Sequence, residues 1–432
     1  MGPTGKSINV GLIGLGVVGE GVASALLERG GLFTQHTGCS VNIAGIAVLD
    51  PNKVRPAHIP KHLLSTDPSI ILDDPEIQII VELIGGEQPA YDYIVQALTA
   101  GKSVVTANKE VLAKHGPVLL ELARSNGCHL LFEASVGGGI PILRPLLTDL
   151  RANFISDVRA IINGTTNYIL TKMSYETMNL ADALSEAQSL GYAESDPTND
   201  VEGIDASYKI SILSSLAFRT RVDINGVHTQ GITTLEPKDF IYANDLGYTI
   251  KLIAIARYND GVVEARVHPT LIPSDSPLAK VDGVLNAIEI TGDLLGKVVF
   301  QGSGAGSLPT TSAVISDILE ITNNIQRGAD INNMLVQEDS SMRPIGDVIS
   351  RYYIRATVSD RPGVLAQMAS VLGQKQISIA SVMQKESDPQ YNTAELVITT
   401  HKSKESDFQE ALKQLEMLDV VVEIGQYLRV ED

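Results

Sequence analysis

Residues 8–19 run Ile8-Asn9-Val10-Gly11-Leu12-Ile13-Gly14-Leu15-Gly16-Val17-Val18-Gly19, an apolar run closed by glycines in a GxGxxG spacing. A helical pattern follows through Glu28. Strand, glycine turn, helix is the setting in which this spacing cradles the pyrophosphate of a dinucleotide. Gly14 permits the tight turn, Gly16 lets the ligand approach the backbone, and Gly19 allows the helix to pack closely on the strand.

Outward from that turn the pattern repeats. Strands are predicted at Val41–Val48, ending at Leu49-Asp50, and at Ile77–Leu83, closed by Gly85-Gly86. Further strands follow at Ser103–Ala107 and His129–Glu133, with helices Pro89–Ala100 and Lys109–Arg124. Alternation of this kind predicts an α/β, doubly wound parallel sheet of Rossmann type. Asp50 stands 31 residues beyond Gly19, because Gly30–Ser40 reads as an insertion. An acid there favours a free ribose 2′-hydroxyl, and hence NAD. Lys53 and Arg55 are near enough to meet a 2′-phosphate, so the choice between NAD and NADP stays open.

Beyond the sheet, Pro141–Phe300 reads as an α+β region. Its helices are expected at Leu180–Leu190, Gly203–Phe218 and Asp245–Arg257, and its strands at Val262–Val267 and Ala287–Thr291. Gly302–Gly306 then leads through Pro309 into a helix, Ser312–Thr322, and a polar linker. The tail reads βαββαβ: Tyr352–Val358, Val364–Gly373, Ile377–Gln384, Ala394–Thr400, Glu405–Leu415 and Val420–Gly425. That order is ferredoxin-like. The expected divisions are 1–140, 141–306, a linker at 326–349, and a separate terminal unit at 350–432.

The net charge of −18 over 432 residues argues against nucleic acid as a partner. No run has the length of a membrane span, and the start lacks the apolar core of a signal peptide. Cys39 and Cys128 give neither a disulfide framework nor metal spacing, so a reducing cytoplasm is the expected setting. Gly5-Lys6-Ser7 resembles the end of a P-loop but lacks the preceding strand and glycine.

The densest chemistry lies in Gly191–Lys209, GYAESDPTNDVEGIDASYK. Asp205 and Lys209 are four apart, so they share one face of a helical turn. An ammonium held beside a carboxylate can donate a proton to a carbonyl oxygen as hydride arrives. Glu194, Asp200 and Asp205 could bind a substrate ammonium through charge-assisted hydrogen bonds. Lys109 follows a strand at the carboxyl edge of the sheet, where doubly wound folds place ligands. Glu133–Pro141 carries three glycines, which suit a hinge or a carbonyl cradle for a hard cation. Asn163-Gly164-Thr165-Thr166-Asn167-Tyr168 fits either a substrate contact or a helix cap.

Taken together, these motifs resemble homoserine dehydrogenase of the monofunctional type with a C-terminal ACT domain. The matching pieces are GLGVVG at Gly14–Gly19, VELIGG at Val81–Gly86, TANK at Thr106–Lys109, EASVGGGIPI at Glu133–Ile142 and NGTTNYIL at Asn163–Leu170. The Gly191–Lys209 block, LGYTIKLIAIA at Leu246–Ala256 and GAGSLPTTSAV at Gly304–Val314 complete them. The resemblance is to the monofunctional form, with no aspartate-kinase region expected ahead of the dinucleotide motif.

The resemblance implies NAD(P)-dependent interconversion of L-homoserine and L-aspartate 4-semialdehyde, in threonine, methionine and isoleucine biosynthesis. It implies Lys209, Asp205 and Lys109 as catalytic residues, with Lys209 the proton donor. Glu194, Asp200, Asp205, Gly191 and Thr165 would bind substrate. Gly14, Gly16, Val17, Val18, Gly19, Asp50, Gly85, Thr106, Lys109, Gly191 and Gly306 would bind the cofactor. A monovalent cation, Na+ or K+, would sit at Glu133, Val136, Gly138 and Ile140, through backbone carbonyls. A helix near 307–325 would complete the dinucleotide domain, and the middle domain would form a homodimer.

The tail resembles an ACT domain through Asp360-Arg361-Pro362-Gly363-Val364-Leu365. Threonine is the implied effector, contacting Gly363, Val364, Leu365, Ser378 and Ile379, with a tetramer possible through paired ACT domains. One departure matters: Leu49 stands where many relatives carry an arginine against the 2′-phosphate, which favours NAD acceptance. A catalytically silent amino-acid sensor is the competing reading, and the intact Lys109, Glu194, Asp205 and Lys209 argue against it.

Overall fold

A computed structural model describes residues 7–328, 340–388 and 390–431. Two compact units emerge, and the described residues of the first are 7–155, 211–224 and 291–328. Its strands β1 (Ser7–Ile13), β2 (Ser40–Ala47), β3 (Leu64–Ser65), β4 (Ile79–Glu82), β5 (Ser103–Thr106) and β6 (Leu130–Leu131) form a sheet ordered β3-β2-β1-β4-β5-β6. Every pairing is parallel, so each crossover needs a helix or long loop on a face. Helices α1 (Val17–Thr37), α2 (Ser69–Leu72), α3 (Ala90–Thr99), α4 (Lys109–Ser125) and α5 (Leu143–Leu147) supply those faces. The central strands are largely apolar because both faces are buried. Val10, Leu12, Ile79 and Val81 pack with Val22 and Leu26 of α1 in one core. Each such side chain contributes about 1.5–3 kcal/mol.

Helix α1 does not stop near Glu28, where the helical pattern in the sequence ends. It runs through Gly30-Gly31 to Thr37 and ends on Gly38 in the left-handed conformation. Each interior glycine costs about 1 kcal/mol relative to alanine, and burying Phe33 in the core offsets that cost. The apparent insertion before Asp50 is thus mostly an extension of the helix by about two turns. The strand expected at His129–Glu133 is also shorter, with Glu133–Ser135 forming a 3₁₀ turn.

The second unit holds described residues 156–210, 225–290, 340–388 and 390–431. It begins with β7 (Ile155–Ile161) and helices α6 (Gly164–Glu176), α7 (Leu180–Ser189), α8 (Thr198–Val201) and α9 (Ile204–Phe218), the last belonging to this unit as far as residue 210. Strand β8 (His228–Thr229) and helix α10 (Pro237–Asp245) follow, then β9 (Tyr248–Asn259), β10 (Val262–Pro273) and β11 (Leu285–Gly292). A strand therefore replaces the helix expected at Asp245–Arg257. β9 pairs antiparallel with β10 along its whole length. Ile250–Ala256 are all buried, which erases the alternation by which a half-buried strand is recognised. The local signal for the strand pair is Asp260-Gly261, both at positive φ (52° and 79°), the pattern of a two-residue hairpin turn.

After β12 (Gly296–Ser303), helix α11 (Ser307–Arg327) starts five residues before the expected Ser312. Pro309 is tolerated because it lies in the first turn, where its missing N–H is not needed. Val314, Ile318 and Ile321 of α11 join the core of the first unit. Of the expected linker 326–349, residues 329–339 lie outside the described residues.

The tail comprises β13 (Ser341–Met342), β14 (Ile349–Ser359), α12 (Val364–Gln374), β15 (Ile379–Asp388), β16 (Thr393–Thr400), β17 (Ser403–Lys404), α13 (Glu405–Glu416) and β18 (Val421–Val430). Strands order as β18-β14-β16-β15, a ferredoxin-like sheet with α12 and α13 packed in its core. Its edge continues into the middle region, because Thr270↔Arg429 and Leu271↔Val430 pair β10 with β18 in parallel. The tail, expected from the sequence as a separate unit, therefore shares one sheet with β9 and β10.

Candidate active site

In the first unit the cofactor motif lies where the sheet reverses direction, at the carboxyl ends of β1 and β4. Gly14 has φ 101°, outside the range of other residues, and its N–H donates to Ala47 O at 3.0 Å. A Cβ on Gly19 would lie 2.3 Å from the Gly14 carbonyl oxygen, whereas one on Gly16 would meet open space. The turn is tight on its protein side and bare on the other, which fits a pyrophosphate approaching the backbone. Gly16 caps α1, leaving Val17 exposed and the free N–H groups of the first turn, Val18 among them, for an anion.

Asp50 follows β2 and its carboxylate accepts from Asn52 N at 2.8 Å. Arg55 is folded back, donating to the carbonyls of Asp50 (2.7 Å) and Lys53 (3.1 Å). Leu49 is fully exposed.

Gly85 and Gly86 both have positive φ after β4. Thr106 ends β5, Asn108 caps α4 by accepting from Val111 N, and Lys109 opens that helix half-buried. Gly306, with φ 114°, plays the capping part for α11.

Apart from the backbone carbonyls that the resemblance assigns to a cation, the Glu133 side chain has a part of its own. The Glu133 carboxylate accepts from Ile142 N (2.6 Å), Leu143 N (2.8 Å) and Arg144 N (2.8 Å), capping α5. Its own N–H donates to Asp317 at 2.9 Å. Burial pushes the Asp317 carboxyl up to about 8. Gly138 packs so closely that a Cβ would sit 2.5 Å from Gly304 O. The side chain of Glu133 is thus committed to the protein. A cation would meet the backbone carbonyl oxygens of Glu133, Val136, Gly138 and Ile140, a donor set that fits a hard monovalent ion.

In the second unit, Lys209 projects from α9 and is buried. Its Nζ donates to Asp205 Oδ2 at 2.6 Å and to the Ile162 carbonyl at 2.8 Å. Asn163 caps α6, its Oδ1 accepting from Thr166 N. Its Nδ2 donates to Asp200 Oδ1 (2.6 Å) and to Asp205 Oδ2 (2.9 Å). Burial pushes the Asp200 carboxyl above its ordinary range, opposed by the Asn163 amide and reinforced by the Asp205 charge. Thr165 donates to the Tyr192 carbonyl at 2.6 Å, fixing the turn at Gly191, where φ is 76°.

Of the acidic block, the fold joins Asp200, Asp205 and Lys209 and leaves Glu194 exposed, its carbonyl accepting from Gln188. Asp196 closes a local turn onto Thr198. Asn163, offered by the sequence as a substrate contact or a helix cap, is a cap that also holds both acids. The Ile162 carbonyl is absent from the sequence-derived site, and no side-chain signal could flag it. In the tail, Gly363 (φ 91°) caps α12, and Val364 and half-exposed Leu365 open it. Exposed Ser378 precedes Ile379, the first residue of β15.

Residues 14–133 match the NAD-binding domain of homoserine dehydrogenase, residues 141–319 its homoserine dehydrogenase domain, and residues 352–419 an ACT domain. The homoserine dehydrogenase of Bacillus subtilis is 40% identical over 427 residues, covering 99% of each chain. The chain belongs to the homoserine dehydrogenase family. The family's enzyme in Helicobacter pylori is 39% identical over 429 residues, covering 99% of this chain and 100% of that one. A homoserine dehydrogenase structure from Thiobacillus denitrificans superposes with a TM-score of 0.93 at 40% identity, covering 99% of each chain. A hyperthermophilic archaeal homoserine dehydrogenase solved with NADPH covers 73% of this chain and 98% of its own, with a TM-score of 0.62 at 29% identity. The chain is accordingly an NAD(P)-dependent oxidoreductase carrying an ACT domain. Among the described residues, no helix is long and apolar enough to cross a membrane.

Proposed function

We propose that Lys209 is the general acid of this homoserine dehydrogenase, in the reduction of L-aspartate 4-semialdehyde to L-homoserine and its reverse. The observation that carries this reading is the buried ammonium of Lys209, held between Asp205 and the Ile162 carbonyl. A bound nicotinamide cofactor supplies the hydride to the carbonyl carbon. Lys209 gives its proton to the carbonyl oxygen, and in the reverse direction takes it from the alcohol. Asp205 keeps the ammonium charged and aimed. Asp200 and Glu194 bind the substrate ammonium, with Thr165 and Gly191 shaping the turn beside them. Lys109 assists the proton movement from the head of α4.

On the cofactor side, Gly14, Gly16, Val17, Val18 and Gly19 hold the pyrophosphate, and Asp50 meets the adenosine ribose. Gly85, Thr106 and Gly306 complete the contacts. Exposed Leu49 and the inward-folded Arg55 support acceptance of NAD as well as NADP. The carbonyl loop at Glu133–Ile140 takes Na+ or K+. The ACT domain takes threonine at Gly363–Leu365 and Ser378-Ile379, placing the enzyme in a cytoplasmic threonine, methionine and isoleucine pathway. The middle region forms a homodimer, and paired ACT domains allow a tetramer. The family membership and the ACT match support these assignments.

The test is an assay at 340 nm with homoserine and each cofactor, with and without threonine, on the parent and on Lys209→Ala. Turnover by the variant within about tenfold of the parent, roughly 1.4 kcal/mol of barrier, would remove Lys209 from the proton-transfer step. A change of rate with threonine assigns the effector.

A further inference from the structure

Glu82 is the last residue of β4, and it is fully buried. A carboxylate in an apolar parallel sheet is costly unless its oxygens are engaged. Both are. Oε1 accepts from Ile84 N at 2.8 Å, and Oε2 accepts the Thr106 hydroxyl at 2.5 Å. With its proton given to Glu82, the same hydroxyl accepts from Asn108 N at 3.0 Å. Asn108 closes the ring by donating from Nδ2 to the Gly86 carbonyl at 2.7 Å, while its Oδ1 caps α4.

The ring ties two loops together. One is Ile84–Gly86 after β4, and the other is Thr106–Lys109 after β5. The sheet order gives this edge a meaning. The β1 turn lies at the reversal point and takes the pyrophosphate, and the end of β2 takes the adenosine side. The ends of β4 and β5 are left for the nicotinamide half. At Gly85 and Gly86 an added Cβ would meet open space, so the loop presents bare backbone.

We propose that Glu82 is a positioning residue that locks the nicotinamide-side edge of the cofactor cleft, holding the Gly85-Gly86 backbone and the Lys109 helix start as one piece. It rests on reading Gly85, Thr106 and Lys109 as cofactor residues. Burial raises the Glu82 carboxyl above its ordinary value, against the pull of the Thr106, Ile84, Gly85 and Asn108 donors. The acceptor role rests on the two bonds from Ile84 N and the Thr106 hydroxyl. The substitution Glu82→Gln puts an amide N–H where a backbone N–H or hydroxyl already points. Thr106→Val removes the bridging hydroxyl, and Thr106→Ser keeps it.

The experiment uses the full chain and two probes, NADH and ADP-ribose, which lacks the nicotinamide. Glu82→Gln and Thr106→Val are each expected to weaken NADH by about tenfold, the scale of one lost charge-assisted hydrogen bond. ADP-ribose affinity is expected to stay within about twofold. Thr106→Ser should restore NADH binding, and the double variant Glu82→Gln/Thr106→Val should be no weaker than the worse single one. Equal loss of both probes, or no loss of either, overturns the proposal. Gly85→Ala separates the two readings: if it weakens NADH selectively while Glu82→Gln does not, the cofactor edge stands and the role of Glu82 falls. If Gly85→Ala and Glu82→Gln both leave NADH unchanged, the assignment of the edge itself falls.

Discussion

At Asn163 a single amide holds two carboxylates, Asp200 and Asp205, while its oxygen caps a helix. Hydrogen bonds to charged groups contribute about 1.5–3 kcal/mol, so Asn163→Ala is expected to lower kcat by about tenfold to a hundredfold. Dinucleotide affinity should not change, because the amide lies in the substrate half. Steady-state kinetics with a parallel cofactor titration checks this, and an unchanged kcat would reduce Asn163 to a helix cap. The Asp205–Lys209 pair is legible in the sequence, since four residues on a helix set its geometry. Asn163 is legible as a cap or a substrate contact, but not as the partner of Asp205, because it lies 42 residues before it and meets it only through the fold. Glu194 is the converse: prominent in the acidic block, it stays exposed while Asp200, Asp205 and Lys209 are drawn together.

Among the elements, a helix with one buried face is easier to read than a strand with two. Helix α4 shows its apolar stripe between a capping Asn108 and a closing Asn126, and the sequence places it within about a residue. Strand β9 is buried on both sides and reads as a helix. In the tail, Arg429 of β18 grips Glu405 at the head of α13 through two bonds, at 2.8 and 2.7 Å. Burial pushes the Glu405 carboxyl up, but the Arg429 guanidinium outweighs it and holds the group below its ordinary 4.5. A carboxyl with a depressed native pKa stabilises the fold above its unfolded value, and that contribution is lost as pH falls through the native one. Urea unfolding of the parent and Arg429→Gln should therefore differ most at neutral pH. The gap should narrow below about pH 4.5. A gap independent of pH would show that the pair adds only packing.

Over the second unit as a whole, buried charge joins the tail to the middle region. Arg355 of β14 donates to Asp239 of α10 at 2.6 Å, and both are buried. Arg266 and Arg257 of the middle region likewise meet Glu431 of the tail. Asp239→Ala removes the shortest partner of the buried Arg355 guanidinium and leaves it Glu395 at 3.3 Å and Glu236 at 3.4 Å. It is therefore expected to cost about 2–3 kcal/mol, below the roughly 3–5 kcal/mol of a pair left wholly uncompensated. Thermal unfolding measures it, and a loss below about 1 kcal/mol would mean water reaches Arg355. Removing the chain from residue 350 onward should, for the same reason, destabilise the middle region as well as abolish effector binding. The sequence by itself determined the Rossmann sheet, the βαββαβ tail, the family and the Asp205–Lys209 pair. All of these rest on local periodicity or short spacing. Only the tertiary structure decided that β18 extends the sheet of β10, that Asn163 gathers the acids, and that Glu82 binds two loops. Those contacts join residues far apart in the chain, and no local pattern encodes which partner a buried polar group will find.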